Sequence, residues 1–531
     1  MNESSAVAGS PSSAFLLLLV LAVGIYLLFG KAGIGKMAVA FARFTFTLFA
    51  NVFTLLFNVV RDSGRLSPSS WQTSNSGVLA PDDPAPPADR LADYLDYRGA
   101  AGPRELTRLS GDGVSLGHYL KPKGGRGPAL ALPIDLLQRN CAVIGPPGSG
   151  KTEGIVIPWI VELLGRKASV VTCDVKGDLI DRIGPEAKRL GCRLWYWNSS
   201  DPARSQSWNW FDGIVDHRDI EAATQSILGR PRPNDAQPFF YDRDYRWLRA
   251  LITIVKTAYK HTAVPRYLYS LVGDQAALRN LFSQSPVIRP QAAELADLLQ
   301  FSADEHSRAV SGLLNALHLF NTAPVVNVTS RSDFSLTDVC SAPTLLVIGA
   351  SLADARSAEV MSGMMLNQLF NTVYRRFAGS GSSATLPLYF IIDEAPRLKE
   401  RINYEEVLSV ARSAKVGVCL AAQDVNQFGD QRQQIAILAN CLTFIALRGC
   451  SPDTARYLSS RLGQRNTQVL AATRSRGPFD IFAQRTRALQ SVTMPVLGER
   501  EIMHPPGSAY CGIVQVSPVS GKPFLVDLGR P

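Results

Sequence analysis

Gly145-Pro146-Pro147-Gly148-Ser149-Gly150-Lys151-Thr152 is the stretch of this sequence whose chemistry is most explicit. It matches G-x-x-x-x-G-K-[ST], and the apolar run Ala142-Val143-Ile144 leads into it. Glycines let the backbone curl until successive N–H groups point inward, which suits phosphate oxygens. A helix starting at the end of the loop adds its N-terminal partial positive charge. Lys151 can reach the β- and γ-phosphates of a nucleotide, and the Thr152 hydroxyl can ligate Mg²⁺. Pro146 and Pro147 carry no N–H, so they must stand where no donor is needed.

A second chemical stretch comes much later. Leu388-Tyr389-Phe390-Ile391-Ile392 runs into Asp393-Glu394. At the end of a strand beside the loop, Asp393 can hold Mg²⁺ through water, and Glu394 can orient and polarise an attacking water. Gln423 ends the run Gly417–Ala422 and would stand at a strand tip near the same phosphates; the other reading of Gln423 is a capping residue.

These groups need a scaffold that brings strand ends together. Ser169–Asp174 and Arg193–Trp197 read as strands, with helices over 153–164 and from about 179 to 191 between them. Pro158 lies within the first helix and should kink it. From 215 to 335 the chain reads as helices: Asp219–Leu228, Arg243–Tyr259, Asp274–Phe282, Pro290–Ala303 and His306–Phe320. Strands resume at 343–349, 388–393 and 417–422, separated by helices Ala355–Phe377 and Tyr404–Lys415. Alternating strands and helices imply an α/β fold with a mainly parallel sheet. The expected division is a nucleotide-binding domain over 91–214 and 336–531, with an all-α domain at 215–335 inserted in it.

Upstream, residues 4–30 carry no charge, and Phe44–Val60 is a second uncharged run. Each is close to the ~20 residues a membrane-spanning helix needs. The expectation is a transmembrane hairpin over 1–61, with spans at about 14–30 and 37–60, then a Ser/Pro/Asp-rich linker at 62–90. The loop charges Lys31, Lys36, Arg61 and Arg65 do not set the orientation. ATP is cytosolic, so the loop places the C-terminal bulk in the cytoplasm.

The net charge of +10 over 531 residues points to an anionic partner, nucleic acid or a membrane surface. Arg461, Arg465, Arg474, Arg476, Arg485 and Arg487 face only Asp480 among acids between 461 and 490. As a loop or helix that segment would contact phosphates without reading sequence, or form a solvated basic face near lipid. The eight cysteines include no C-x-x-C pair and read as small buried hydrophobes in a reducing compartment.

The chain resembles the type IV secretion coupling proteins, a TraG-like family within the FtsK/HerA motor class. The resemblance rests on ordered motifs across the soluble body: GPPGSGKTEGIVIPWI, VVTCDVKGDLID, WNWFD, SGLLNALHLF, SDFSLTDV, YFIIDEAPRLK, VLSVARSAKVGVCLAAQDVNQF, NCLTFIALRGCSPDTARYLSSRLG and MPVL. It implies RecA-like P-loop NTPase domains in a homo-hexamer, anchored in the bacterial inner membrane with the ATPase body in the cytoplasm. It implies ATP and Mg²⁺, single- or double-stranded DNA bound without sequence readout, and relaxase or effector proteins delivered to inner-membrane components of a secretion channel. It also places Arg412, on the helix after Glu394, where an arginine finger would reach a neighbouring subunit's γ-phosphate, with Arg448 as the rival. The short loop between the spans and the lack of a long acidic tail depart from the family pattern. Two other readings stay open: an FtsK/HerA-like DNA translocase, and a substrate-receptor platform that binds ATP without hydrolysing it.

Overall fold

The computed structural model describes residue 47 and residues 97–231, 238–350, 354–379, 386–411, 413–475 and 484–529. The two apolar N-terminal runs (but for Thr47), the linker at 62–90, Arg412 and Arg476 lie outside the described residues. Among the described residues no single helix is long and apolar enough to cross a membrane.

The chain divides into two units, Met1–Gly77 with Ala471–Arg487, and Val78–Leu470 with Ala488–Pro531. In the first, the structure describes Thr47, which is helical, and parts of two strands. The second carries the large sheet. Its strands are β1 (Val114–Leu120), β2 (Arg126–Leu132), β3 (Cys141–Ile144), β4 (Ser169–Asp174), β5 (Arg193–Trp197), β6 (Thr344–Gly349), β7 (Leu388–Ile392), β8 (Val416–Ala422) and β9 (Thr443–Leu447). After β10 (Gln464–Ser475) and β11 (Gln484–Pro495) come β12 (Cys511–Val516) and β13 (Phe524–Asp527). The 11 strands run in the order β2-β1-β13-β12-β9-β3-β8-β7-β4-β6-β5. From β9 to β5 every pairing is parallel; from β9 outward to β2 every pairing is antiparallel. The sheet is RecA-like in carrying the loop strand β3 at its centre, with β8 between β3 and β7.

The central strands are buried along their whole length, as strands covered on both faces must be. Alternation then sorts them into two cores. Cys141 and Val143 face one, with Trp159, Ile160 and Leu163 of the helix Ile157–Gly165. Ala142 and Ile144 face the other, with Met361, Met365 and Leu369 of the helix Ala355–Gly379. All eight cysteines are buried and none is in a disulfide, as suits small hydrophobes.

Between β5 and β6 the described residues form helices and no strand. Trp247, Leu251, Leu313 and Phe320 belong to the same core as Phe390 and Ile392 of β7. A polar cluster ties the region to the helix over β7's face. Asp219, fully buried at the start of the helix His217–Leu228, accepts from Arg375 Nη1 at 2.8 Å and Asn371 Nδ2 at 3.1 Å. It also accepts the N–H groups of Val215 (2.8 Å) and Asp216 (3.2 Å).

Three local expectations are corrected. The stretch 290–303 is a 3₁₀ segment Pro286–Ala292 and a short helix Ala296–Gln300, because Pro290 lacks a donor and Ser302 caps the next helix, Ala303–Leu317. The helix Tyr404–Ala411 does not reach Lys415: residues 413–415 form a turn, and Lys415 takes φ 56°. Of the basic segment, Arg461 stands in the last turn of the helix Pro452–Leu462, and the described residues of 464–475 and 484–490 are not helical but lie in β10 and β11, which pair in a two-stranded sheet. Asp219→Ala removes a buried carboxylate and leaves Arg375 only the longer contacts to Asp216 at 3.6 Å and Thr372 at 3.4 Å, so stability should fall by about 3 kcal/mol. A urea denaturation midpoint equal to wild type would contradict this role.

Candidate functional site

Strand β3 delivers the loop 145–152 at its C-terminal end, where Gly145 N–H donates to Ala422 O of β8 at 3.1 Å. Gly148 and Gly150 take φ of 76° and 90°, the left-handed region that only glycine occupies without strain. Lys151 Nζ turns back into the loop, donating to Gly145 O at 2.5 Å and to Pro146 O at 3.2 Å. The ammonium is buried; burial lowers its pKa, and Glu394 and Asp393 oppose that shift. Ser149 Oγ is buried with no partner. A buried hydroxyl without a partner, a buried ammonium resting on its own loop's carbonyls, and two left-handed glycines fit a phosphate chain.

The helix after the loop does not begin as an α-helix. Thr152–Val156 is π-helical, and the α-helix starts at Ile157 with Pro158 in its first turn. The widened turn puts the proline where no N–H is required, so the expected kink becomes a change of helix type.

Strand β7 delivers the acidic pair to the same end of the sheet. Thr152 Oγ1 donates to Asp393 Oδ2 at 2.9 Å, while Glu394 N–H donates to Asp393 Oδ1 at 3.0 Å. Glu394 sits at φ 52°, ψ 40°, a left-handed conformation that costs a non-glycine residue about 1–2 kcal/mol. Gln423, at the tip of β8, donates from Nε2 to Glu394 Oε1 at 3.0 Å. Its own N–H donates to Gln427 Oε1 at 3.0 Å. Gln423 therefore aims the Glu394 carboxylate, a contact that its position in sequence does not disclose.

These groups line a cleft of about 240 Å³ together with Asp174, Lys176 and Arg397. Asp174 is buried at the end of β4 and accepts the N–H groups of Gly177 (2.7 Å), Leu179 (2.9 Å) and Ile180 (3.3 Å). Burial raises its pKa against those three donors. The sequence marks Asp174 as a strand-end carboxylate but not as the anchor of the helix Leu179–Arg189. Arg397 has only one signal in the sequence, its position three residues after Glu394, and sequence reasoning misses it.

The arginines of the basic segment divide. Arg461 donates to Gln515 Oε1 (2.7 Å), Leu438 O (2.7 Å) and Cys441 O (2.5 Å), which makes it a structural clamp. Arg474, Arg485 and Arg487 stand on the hairpin strands β10 and β11. Arg448, the rival finger, donates from Nη1 to Pro505 O (3.3 Å), Gly507 O (2.8 Å) and Ser508 O (3.3 Å) of its own chain.

Residues 134–514, well over half of the chain, match the family described as Type IV secretory system conjugative DNA transfer. The chain is 23% identical over 414 residues to the conjugal transfer protein TraG of Agrobacterium fabrum, covering 72% of this chain and 59% of that relative. It is 20% identical over 342 residues to the protein VirD4 of Rhizobium radiobacter, covering 62% of this chain and 48% of that one. The chain thus spans about half to three fifths of the length of these relatives. Among solved structures, the bacterial conjugative coupling protein TrwB matches with a TM-score of 0.57 at 18% identity, over 81% of this chain and 92% of that one. TrwB in complex with ADP and Mg²⁺ matches at 0.54 and 17%, over 81% and 93%. At that identity the likeness establishes the fold.

Asp174→Ala leaves the N–H groups of Gly177 and Leu179 without their acceptor. Amide exchange across 177–180 should speed up about tenfold, with β3 unchanged, by hydrogen-exchange mass spectrometry. Unchanged exchange there would contradict the anchoring role.

Proposed function

The chain belongs to the type IV secretory system conjugative DNA transfer family, the coupling proteins, and from that premise we propose that it is an ATP hydrolase that recruits cargo to a secretion channel and drives its transfer. The observation that carries the hydrolytic part is the pair of hydrogen bonds Thr152–Asp393 and Gln423–Glu394. They set a metal-ligand pair and an oriented base side by side at the end of one sheet.

In this reading the loop N–H groups and Lys151 bind the phosphate chain, with Gly145, Gly148, Ser149 and Gly150 shaping the cradle and Pro146 and Pro147 at its donor-free positions. Thr152, and Asp393 through water, would hold Mg²⁺, which would supply charge neutralisation for the phosphate chain. The residues present fit that group, since a hydroxyl and a carboxylate oxygen already meet at 2.9 Å. Glu394, held by Gln423, takes the proton of the attacking water as its oxygen bonds to the γ-phosphorus and the bridging bond breaks. TrwB's complexes with an ATP analogue and with ADP and Mg²⁺ support the same ligands here.

The finger role is proposed for Arg412. Arg448 supports this by being spent on carbonyls of its own chain. In a homo-hexameric ring each site would then be completed by a neighbouring subunit. The uncharged N-terminal runs support a membrane anchor in the bacterial inner membrane, with the ATPase body cytoplasmic. The net charge of +10 and the arginines of β10 and β11 support contact with DNA through its backbone. The family supports relaxase-bound DNA or effector protein as cargo.

Glu394→Gln should keep ATP affinity within about threefold and lose at least about 100-fold in hydrolysis, measured by nucleotide titration and phosphate release. Lys151→Ala should lose ATP affinity itself. A Glu394→Gln protein that still supports cargo transfer in cells would favour the receptor platform over the motor.

A further inference from the structure

The loop and the acidic pair account for the phosphates of a nucleotide and leave its base and sugar without a seat. Any such seat presupposes that the loop binds phosphates, as proposed above. Asp393, Glu394 and Gln423 stand at the ends of β7 and β8, on one side of β3. The reacting end of a bound phosphate chain must face them. The nucleoside must then leave on the other side of β3, toward β9, β12 and β13.

Two apolar side chains stand against the loop on that side. Tyr510 immediately precedes β12 and Leu528 immediately follows β13. A Cβ on Gly150 would lie 2.7 Å from Tyr510 Cδ1, and one on Gly154 would lie 2.9 Å from Leu528 Cδ1. Glycine at both positions is what admits the ring and the isobutyl group so close to the loop backbone. Tyr510 is half-buried and is packed into neither of the two cores. The ring meets Gly150 through its Cδ1 edge, with Cε1 and Cγ at 3.5 and 3.6 Å from the same Cβ position, so the glycine spends neither face of the ring.

The wall is held rigidly. Leu528 N–H donates to Tyr510 O at 2.9 Å, and Tyr510 N–H donates to Ser508 Oγ at 3.2 Å. Ser508 Oγ donates to Asp527 Oδ1 at 3.2 Å, as does Gly529 N–H at 3.0 Å. Arg126 Nε meets the other oxygen of Asp527 at 2.7 Å. Arg448, through the carbonyls of Pro505, Gly507 and Ser508, fastens the same loop from the opposite side.

We propose that Tyr510 and Leu528 form the nucleoside seat, with the base stacked on the Tyr510 ring and Leu528 against the sugar. Stacking on an aromatic face suits any base, because every base has a π-face. Removing the ring should weaken nucleotide binding by about 5- to 150-fold.

The test is calorimetric titration of the full chain with Mg·ATP and with inorganic tripolyphosphate, which carries the phosphates without base or sugar. The expected result is that Tyr510→Ala loses at least about fivefold in ATP affinity and keeps its tripolyphosphate affinity, while Tyr510→Phe recovers the ATP affinity that the alanine loses. Unchanged ATP affinity in Tyr510→Ala would overturn the proposal. An equal loss for both ligands would overturn it too, by making the ring a prop for the loop. Wild-type protein that binds neither ligand would refute the phosphate-binding reading, and the nucleoside seat with it.

Discussion

The 2.9 Å hydrogen bond from Thr152 to Asp393 joins two segments 241 residues apart in sequence. Its geometry exists because β3 and β7 flank β8 and end within two residues of each other in register. The register does this in two steps: Ile144 pairs with Ala422, and Ile392 pairs with Leu420. A slip of one residue in either ladder would turn the strand-end side chains to the other face. The continuous burial of these strands fixes the register, since both faces must find apolar partners. Packing of the sheet thus sets the distances on which the chemistry depends.

The same sheet gives the site a direction. On the β8 side of β3 lie the groups that can activate water and hold a metal, with Gln423 steering Glu394. On the β9 side, toward β12 and β13, lie Tyr510 and Leu528, fastened through Asp527. The loop between them is built from glycines where neighbours press closest. The left-handed Glu394 and the π-helical turn after Lys151 lie there as well. Backbone departures of this kind gather where the chain must hold an arrangement that regular structure does not provide.

Much of this is legible in the sequence because local patterns carry it. β4 and β5 occupy the residues their apolar runs mark, and the loop and acidic pair declare themselves by residue type and spacing. What is not legible depends on partners far along the chain. Nothing near Gln423 announces that its amide meets Glu394, and nothing near Tyr510 announces a glycine loop far earlier in the chain. The helix Arg266–Gly273 comes after Pro265 and is too short for periodicity to reveal. Pro290 breaks a stretch whose composition still reads as one helix. The arginines of 461–490 look alike by charge, yet Arg461 is spent on carbonyls while others stand on strands.

The proposal that a neighbour completes each site and that the chain holds DNA by its backbone requires ATP hydrolysis to be coupled to that polymer. Steady-state phosphate release from ATP by the full chain, with and without single-stranded DNA, measures this coupling. Turnover should rise when DNA is added, and should rise per subunit with protein concentration as shared sites assemble. ATP binding without phosphate release, at any protein concentration and with or without DNA, would contradict the coupling.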